Sequence, residues 1–149
     1  MAEDVREGIL SRIAELMLNI PGVQEVRRDQ SYADDDRLPM ILVNSGDDEA
    51  EEERNARNPN SPHVCWAEPE IIYVHGDQPN LVGPALSEAR AQIIYAITHD
   101  ALLASYTVKG QGVVYRSSGA TTYRGRELFG EMGVSFAFRY VLWPDRLVD

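Results

Sequence analysis

Residues 132–143 read MGVSFAFRYVLW. Val134, Phe136, Phe138, Tyr140 and Leu142 alternate with Gly133, Ser135, Ala137, Arg139 and Val141. A period of two is that of a β-strand, whose successive side chains point to opposite faces. One face of this strand is heavily aromatic, so the fold is built on a sheet. Pro144 stops the strand and leaves a short tail, Asp145 to Asp149. Working back from it, 117–130 is rich in Gly, Ser, Thr and Arg and reads as a connection, and 106–115 as another strand. A helix is expected from about Pro84 to Ser105, with Pro84 at its first position and Gly83 ahead of it. Leu86, Ala89, Ile93, Ile97 and Ala101 form its apolar stripe.

The first half adds one helix and three strands. Val5, Ile9, Ile13, Leu16, Met17 and Ile20 recur at helical spacing, which predicts a helix over 3–20 ended by Pro21-Gly22. Residues 23–29 read as a short strand, and 31–37 as a polar connection containing Asp34, Asp35 and Asp36. Residues 38–44, LPMILVN, form a near-continuous apolar run, as in a strand covered on both faces. A third strand is expected over 63–76, with Glu68-Pro69 marking a bulge or bend, followed by a turn cluster at 76–80. The expected fold is α/β of the α+β kind. It is a single domain over 1–149, a mixed or antiparallel sheet packed against two helices in the order α-β-β-β-α-β-β.

Residues 46–62, GDDEAEEERNARNPNSP, differ in kind. Asp47, Asp48, Glu49, Glu51, Glu52 and Glu53 face only Arg54 and Arg57, and almost nothing is apolar. Such a segment cannot bury enough surface to offset its ordering entropy alone. It reads as a long acidic loop, either a solvated linker or a segment that orders against a neighbouring subunit. Cutting about ten residues from 47–57 is then expected to leave the monomer folded but to weaken ring formation.

The formal net charge of −10 argues against a general nucleic-acid binder, whose affinity comes from cations on phosphates, and against docking on an anionic membrane. It is compatible with a passage that DNA slides through without sticking. No apolar run approaches the ~20 residues of a membrane span. The opening MAEDVREG carries acids where an export signal carries basic residues, so a cytosolic site of synthesis is expected.

No catalytic, cofactor or metal site is expected. His63, His75 and His99 lack zinc-site spacing, and the single Cys65 reads as a small buried hydrophobe. Asp34–Asp36 lacks the alternation of a calcium loop and reads as a solvated turn. Gly110-Gln111-Gly112 lacks the third glycine and the helix of a dinucleotide fingerprint. Ser117-Ser118-Gly119 has no nucleophile elbow around it.

One asymmetry stands out. Lys109, Arg116, Arg124 and Arg126 lie in a stretch without an acid, while Asp47, Asp48, Glu49, Glu51, Glu52 and Glu53 lie in an acidic one. The two segments are either independent solvated loops or halves of a head-to-tail contact, of the kind that closes into rings.

The order of elements, with Leu18-Asn19-Ile20-Pro21-Gly22-Val23 after the first helix, Leu38-Pro39-Met40-Ile41-Leu42-Val43, and then an acidic gap, is a recognisable pattern. Ala96-Ile97-Thr98-His99-Asp100-Ala101-Leu102-Leu103 in the second helix and Val134-Ser135-Phe136-Ala137-Phe138-Arg139-Tyr140 complete it. Nearly the full chain resembles the tail terminator (tail-completion) proteins of siphophages and gene-transfer-like particles, the group of the lambda minor tail protein U. The resemblance implies a homohexameric ring on the last ring of the tail tube. Such a ring stops tube polymerisation and offers a surface to the head–tail connector or stopper protein. It implies a virion component assembled in the host cytoplasm, with DNA passing through its lumen, and no enzyme. Another neck component, or a small cytosolic enzyme using Asp34–Asp36 or the histidines, are the alternatives.

Overall fold

A computed structural model describes residues 4–30, 37–51, 62–77, 79–124 and 128–143. Five strands form one sheet in the order β1-β2-β3-β5-β4. They are β1 (Glu25–Arg28), β2 (Met40–Ala50), β3 (His63–Asp77), β4 (Val113–Arg124) and β5 (Leu128–Leu142). β1 runs parallel to β2, and every other pairing is antiparallel. The helices are α1 (Val5–Met17), α2 (Pro79–Thr98) and α3 (Ala101–Ser105). The expected α+β class is therefore what the chain adopts, with three helices instead of two.

The aromatic strand sits where its side chains require. Phe136, Phe138 and Tyr140 of β5 are buried with Ile9, Ile13 and Met17 of α1 and Leu86, Ile93 and Ile97 of α2. Ile41, Val43, Cys65, Ile71 and Tyr73 join them from β2 and β3, so both long helices cover one face of the sheet. Cys65 is buried, as expected of a small hydrophobe. Gly130 lets α2 approach β5, since a Cβ there would meet Val82 Cγ1 at 2.6 Å and Leu86 Cδ1 at 2.7 Å. The opposite face carries a small apolar island of Met40, Leu42 and Val74, with Leu38 and Ile72 beside it.

Several boundaries differ from expectation, each for a physical reason. α1 begins after its N-cap Asp4, whose carboxylate accepts from the Arg6 amide. It ends at Met17, after which Asn19 and Ile20 donate to Leu16 and Met17 in tighter turns that still bury Ile20. α2 starts at Pro79, which takes the first position expected of Pro84; Pro84 lies inside the helix. The single helix expected to reach Ser105 breaks at His99-Asp100. The Asp100 carboxylate caps α3 by accepting from the Leu103 amide at 2.9 Å. Asp100 also accepts from Arg12 Nη2 at 2.7 Å and Arg12 Nε at 3.0 Å, which ties the break to α1.

The strand expected at 106–115 begins only at Val113. Before it, Thr107 Oγ1 donates to Ala104 O and accepts from the Gly112 amide, and Lys109 and Gly110 take positive φ, which makes a compact turn. The expected connection 117–130 is instead most of β4 and the start of β5. An edge strand needs less apolar content, and small residues suffice there, as where Gly119 faces Gly133.

The acidic segment is corrected as well. Residues 46–50 are not a loop: β2 continues through Asp47, Asp48 and Glu49 to Ala50. Ser45 and Gly46 stand opposite the single residue Pro69, and Gly46 has φ +68. This bulge moves the strand's inward positions from Ile41 and Val43 to Asp48 and Ala50, which face Ala67 and Cys65. The proline has no N–H, so the interruption falls where no ladder bond is available to lose. A second bulge between Tyr115 and Ser117 rephases β4 in the same way. The remainder of the expected loop up to 61, Glu52 and Glu53 included, and Asp34–Asp36 lie outside the described residues.

Candidate functional site

The sheet has two open edges. On one side β4 is the outermost strand over its whole length. On the other, β1 pairs only with Met40 to Val43 of β2. Among the described residues no strand flanks β2 beyond Val43 on that side, so its acidic half is itself an edge. Open edges carry unpaired N–H and C=O groups, ready to accept another chain.

The acidic edge is held in place from below. The Tyr140 hydroxyl donates to Asp48, and burial followed by that hydrogen bond pushes the Tyr140 pKa far up. Arg6 donates from Nη2 to Gly46 O at 3.0 Å and lies 3.6 Å from Asp48 through Nε. Asp29, at positive φ, accepts from the amide and hydroxyl of Ser45 at 2.8 and 2.6 Å, which holds its carboxyl below the usual range. Glu51, just past the strand, accepts from Arg139 Nε at 2.6 Å and Trp66 Nε1 at 2.9 Å. Asp47 and Glu49 point to the face without helices, are exposed, and take no hydrogen-bond or ion-pair partner among the described residues. Part of the 47–57 segment, expected to contribute little to the core, is therefore paired strand, and a cut there would remove ladder bonds to β3.

The β4 edge carries the basic character. Arg116 stands at its bulge, 3.3 Å from Glu68; its own side chain is exposed and that of Glu68 half-buried. Around it Val114, Ser117, Gly119, Ala120 and Thr121 are exposed, and none is an acid. Arg90 of α2 clamps this strand from the helix side. It donates to Ser118 Oγ at 2.6 Å and lies over the Tyr115 ring, 5.8 Å from its centroid. Arg124 ends β4, and Arg126 lies outside the described residues. The nine candidate residues are thus divided: Asp47, Asp48, Glu49 and Glu51 gather at one edge, Arg116 and Arg124 belong to the other, and Glu52, Glu53 and Arg126 are not described.

A cleft of about 260 Å³ lies between α2 and the turn after α1. Tyr73 and His75 line it with rings stacked at 6.0 Å, and Glu88 and Gln92 of α2 line the helix side. Burial, then the Glu88 charge, raises the Tyr73 pKa, so its phenol stays protonated. Sequence reading did not find this cleft, because its residues come from four separate stretches. Nor did it find the Glu51–Trp66–Arg139 cluster, whose members come from three separate stretches with no local signal. Among the described residues no group of three His, Cys, Asp or Glu could hold a metal ion, and no helix is long and apolar enough to cross a membrane. No known family model matches the chain, and no curated protein matches it.

Proposed function

We propose that the chain is a ring-forming structural subunit of a phage-type tail, a tail terminator that caps the tail tube and offers the joining surface to the head-side connector. The observation that carries this reading is the pair of open sheet edges of opposite character on one subunit. The acidic edge holds Asp47 and Glu49; the other holds Arg116 and the basic end of β4. An edge that complements the opposite edge of the same molecule favours heterologous contact, and heterologous contact closes into a ring when the rotation permits. Six copies, the number implied by the family the sequence resembles, would enclose a lumen. The net charge of −10 suits a lumen through which DNA moves without binding. The self-contact, the tube protein and the connector are then the partners, and the virion neck is the site of action. No nucleophile–base pair enters this reading, since assembly and not turnover is the function.

The test is the mass of the purified protein by light scattering over a range of concentration, with negative-stain images of the largest species and with added tube protein. Six-fold rings with an open centre, alone or on tube tips, are expected. A closed two-fold dimer, or a monomer that leaves tube growth unchanged, would overturn the reading.

A further inference from the structure

The cleft beside α2 has a chemistry that the ring does not use. Its floor is aromatic: Tyr73, 5 % exposed, stacks on His75 with an interplanar angle of 29°. One wall is the turn Pro21-Gly22 with Pro39, and the other is α2 through Ala85, Glu88 and Gln92. Among the described residues, Glu88 is the only carboxylate that lines the cleft, and no Lys or Arg lines it. An anion would meet the Glu88 charge. A purely apolar group would bury the Tyr73 hydroxyl and the Gln92 amide without partners, which is costly. A flat cation satisfies the whole set. A guanidinium stacks on aromatic faces, and its N–H groups match a carboxylate and an amide carbonyl.

The surroundings say what carries that cation. Leu81, Ala85, Glu88, Gln92 and Tyr95 follow one another at spacings of four and three, so they lie on one stripe of α2. Leu81 is 46 % exposed and Tyr95 65 % exposed, one on each side of the cleft along that stripe. Two exposed apolar groups flanking a cation site fit a polypeptide better than a free small cation. We infer that this cleft docks an arginine side chain presented by a partner polypeptide, with apolar residues on either side of the arginine resting on Leu81 and Tyr95. The inference does not depend on ring formation and is tested on whatever oligomer the protein forms.

The probe is the capped heptapeptide Leu-Ala-Ala-Arg-Ala-Ala-Leu, whose leucines can span the roughly 21 Å of helix from Leu81 to Tyr95, compared with Leu-Ala-Ala-Gln-Ala-Ala-Leu, titrated into isotope-labelled full-length protein and followed by NMR. Shifts are expected at Tyr73, His75 and along 81–95 with the arginine peptide. The glutamine peptide should bind about tenfold more weakly, as loss of a charge-assisted contact implies. Glu88→Gln, at an exposed position, should fold normally and weaken the arginine peptide to the same degree. Tyr73→Phe keeps the ring and should weaken it less. Equal responses to the two peptides, shifts confined to the Asp47–Glu51 edge, or no shift at millimolar peptide would each overturn the inference.

Discussion

Asp100 does two things with one carboxylate. It accepts from the Leu103 amide as the N-cap of α3 and from Arg12 across to α1, and the Arg12 hydrogen bond holds its pKa below the ordinary value of 3.8. A carboxyl depressed in the folded state contributes stability that is present above its unfolded pKa and is lost as pH falls through the folded one. Asp100→Ala should therefore cost about 1–2 kcal/mol near neutral pH, the usual cost of a lost N-cap, with a minor share from the water-accessible ion pair. The deficit should shrink once pH drops below about 3.8, where the parent begins to lose the same interaction. Urea unfolding of both proteins at neutral and strongly acid pH measures it, and a deficit independent of pH would refute the assignment. Asp100 also shows the limit of sequence reading at this scale. Its neighbours Ile97, Ala101 and Leu102 keep helical spacing through it. Only the partner 88 residues away, Arg12, makes the break worthwhile.

At the scale of elements, the period-two strand and the two amphipathic helices were legible because local periodicity reports which face is buried. The aromatic face of β5 and the stripes on α1 and α2 meet in one core, as their spacing required. What was not legible was pairing that depends on polar partners far away in sequence. β2 runs into Asp47–Glu49 because Arg6 and Tyr140 receive Asp48, and because Gly46 rephases the strand. No window around 46–50 contains those partners. The same argument makes Gly46 the residue on which the acidic edge depends. A Cβ there would lie 2.0 Å from Glu68 O, and φ +68 is a conformation other residues reach at a cost. Gly46→Ala should destabilise the protein by at least about 1–3 kcal/mol from the backbone conformation, with the clash added. It should also loosen the edge, so amide exchange at Asp47 to Ala50 should speed up more than exchange in β3. Unchanged stability and unchanged exchange would mean the strand can pass Pro69 without this bulge.

At the scale of the molecule, two electrostatic effects of opposite sign bear on the proposed association, and their ranges differ. Each copy carries −10, so copies repel at long distance. A contact between the Arg116 edge and the Asp47–Glu49 edge, as proposed, would be short-ranged and attractive. The Debye length falls from about 30 Å at 0.01 M salt to about 10 Å at 0.1 M and about 3 Å at 1 M. Screening therefore removes the long-range repulsion first and weakens the close contact later. If the ring forms through these edges, the mean mass at fixed protein concentration should rise between about 0.01 and 0.1 M salt and fall again toward about 1 M. Arg116→Glu raises the repulsion and removes the attraction in one step. It breaks only an exposed pair with Glu68, so folding should be little affected. This variant should stay monomeric across the whole range, with its thermal midpoint within a few degrees of the parent. A mass that climbs steadily with salt in both proteins would instead indicate an apolar contact, and Val114, the large apolar side chain exposed on the β4 edge, would then be the residue to test.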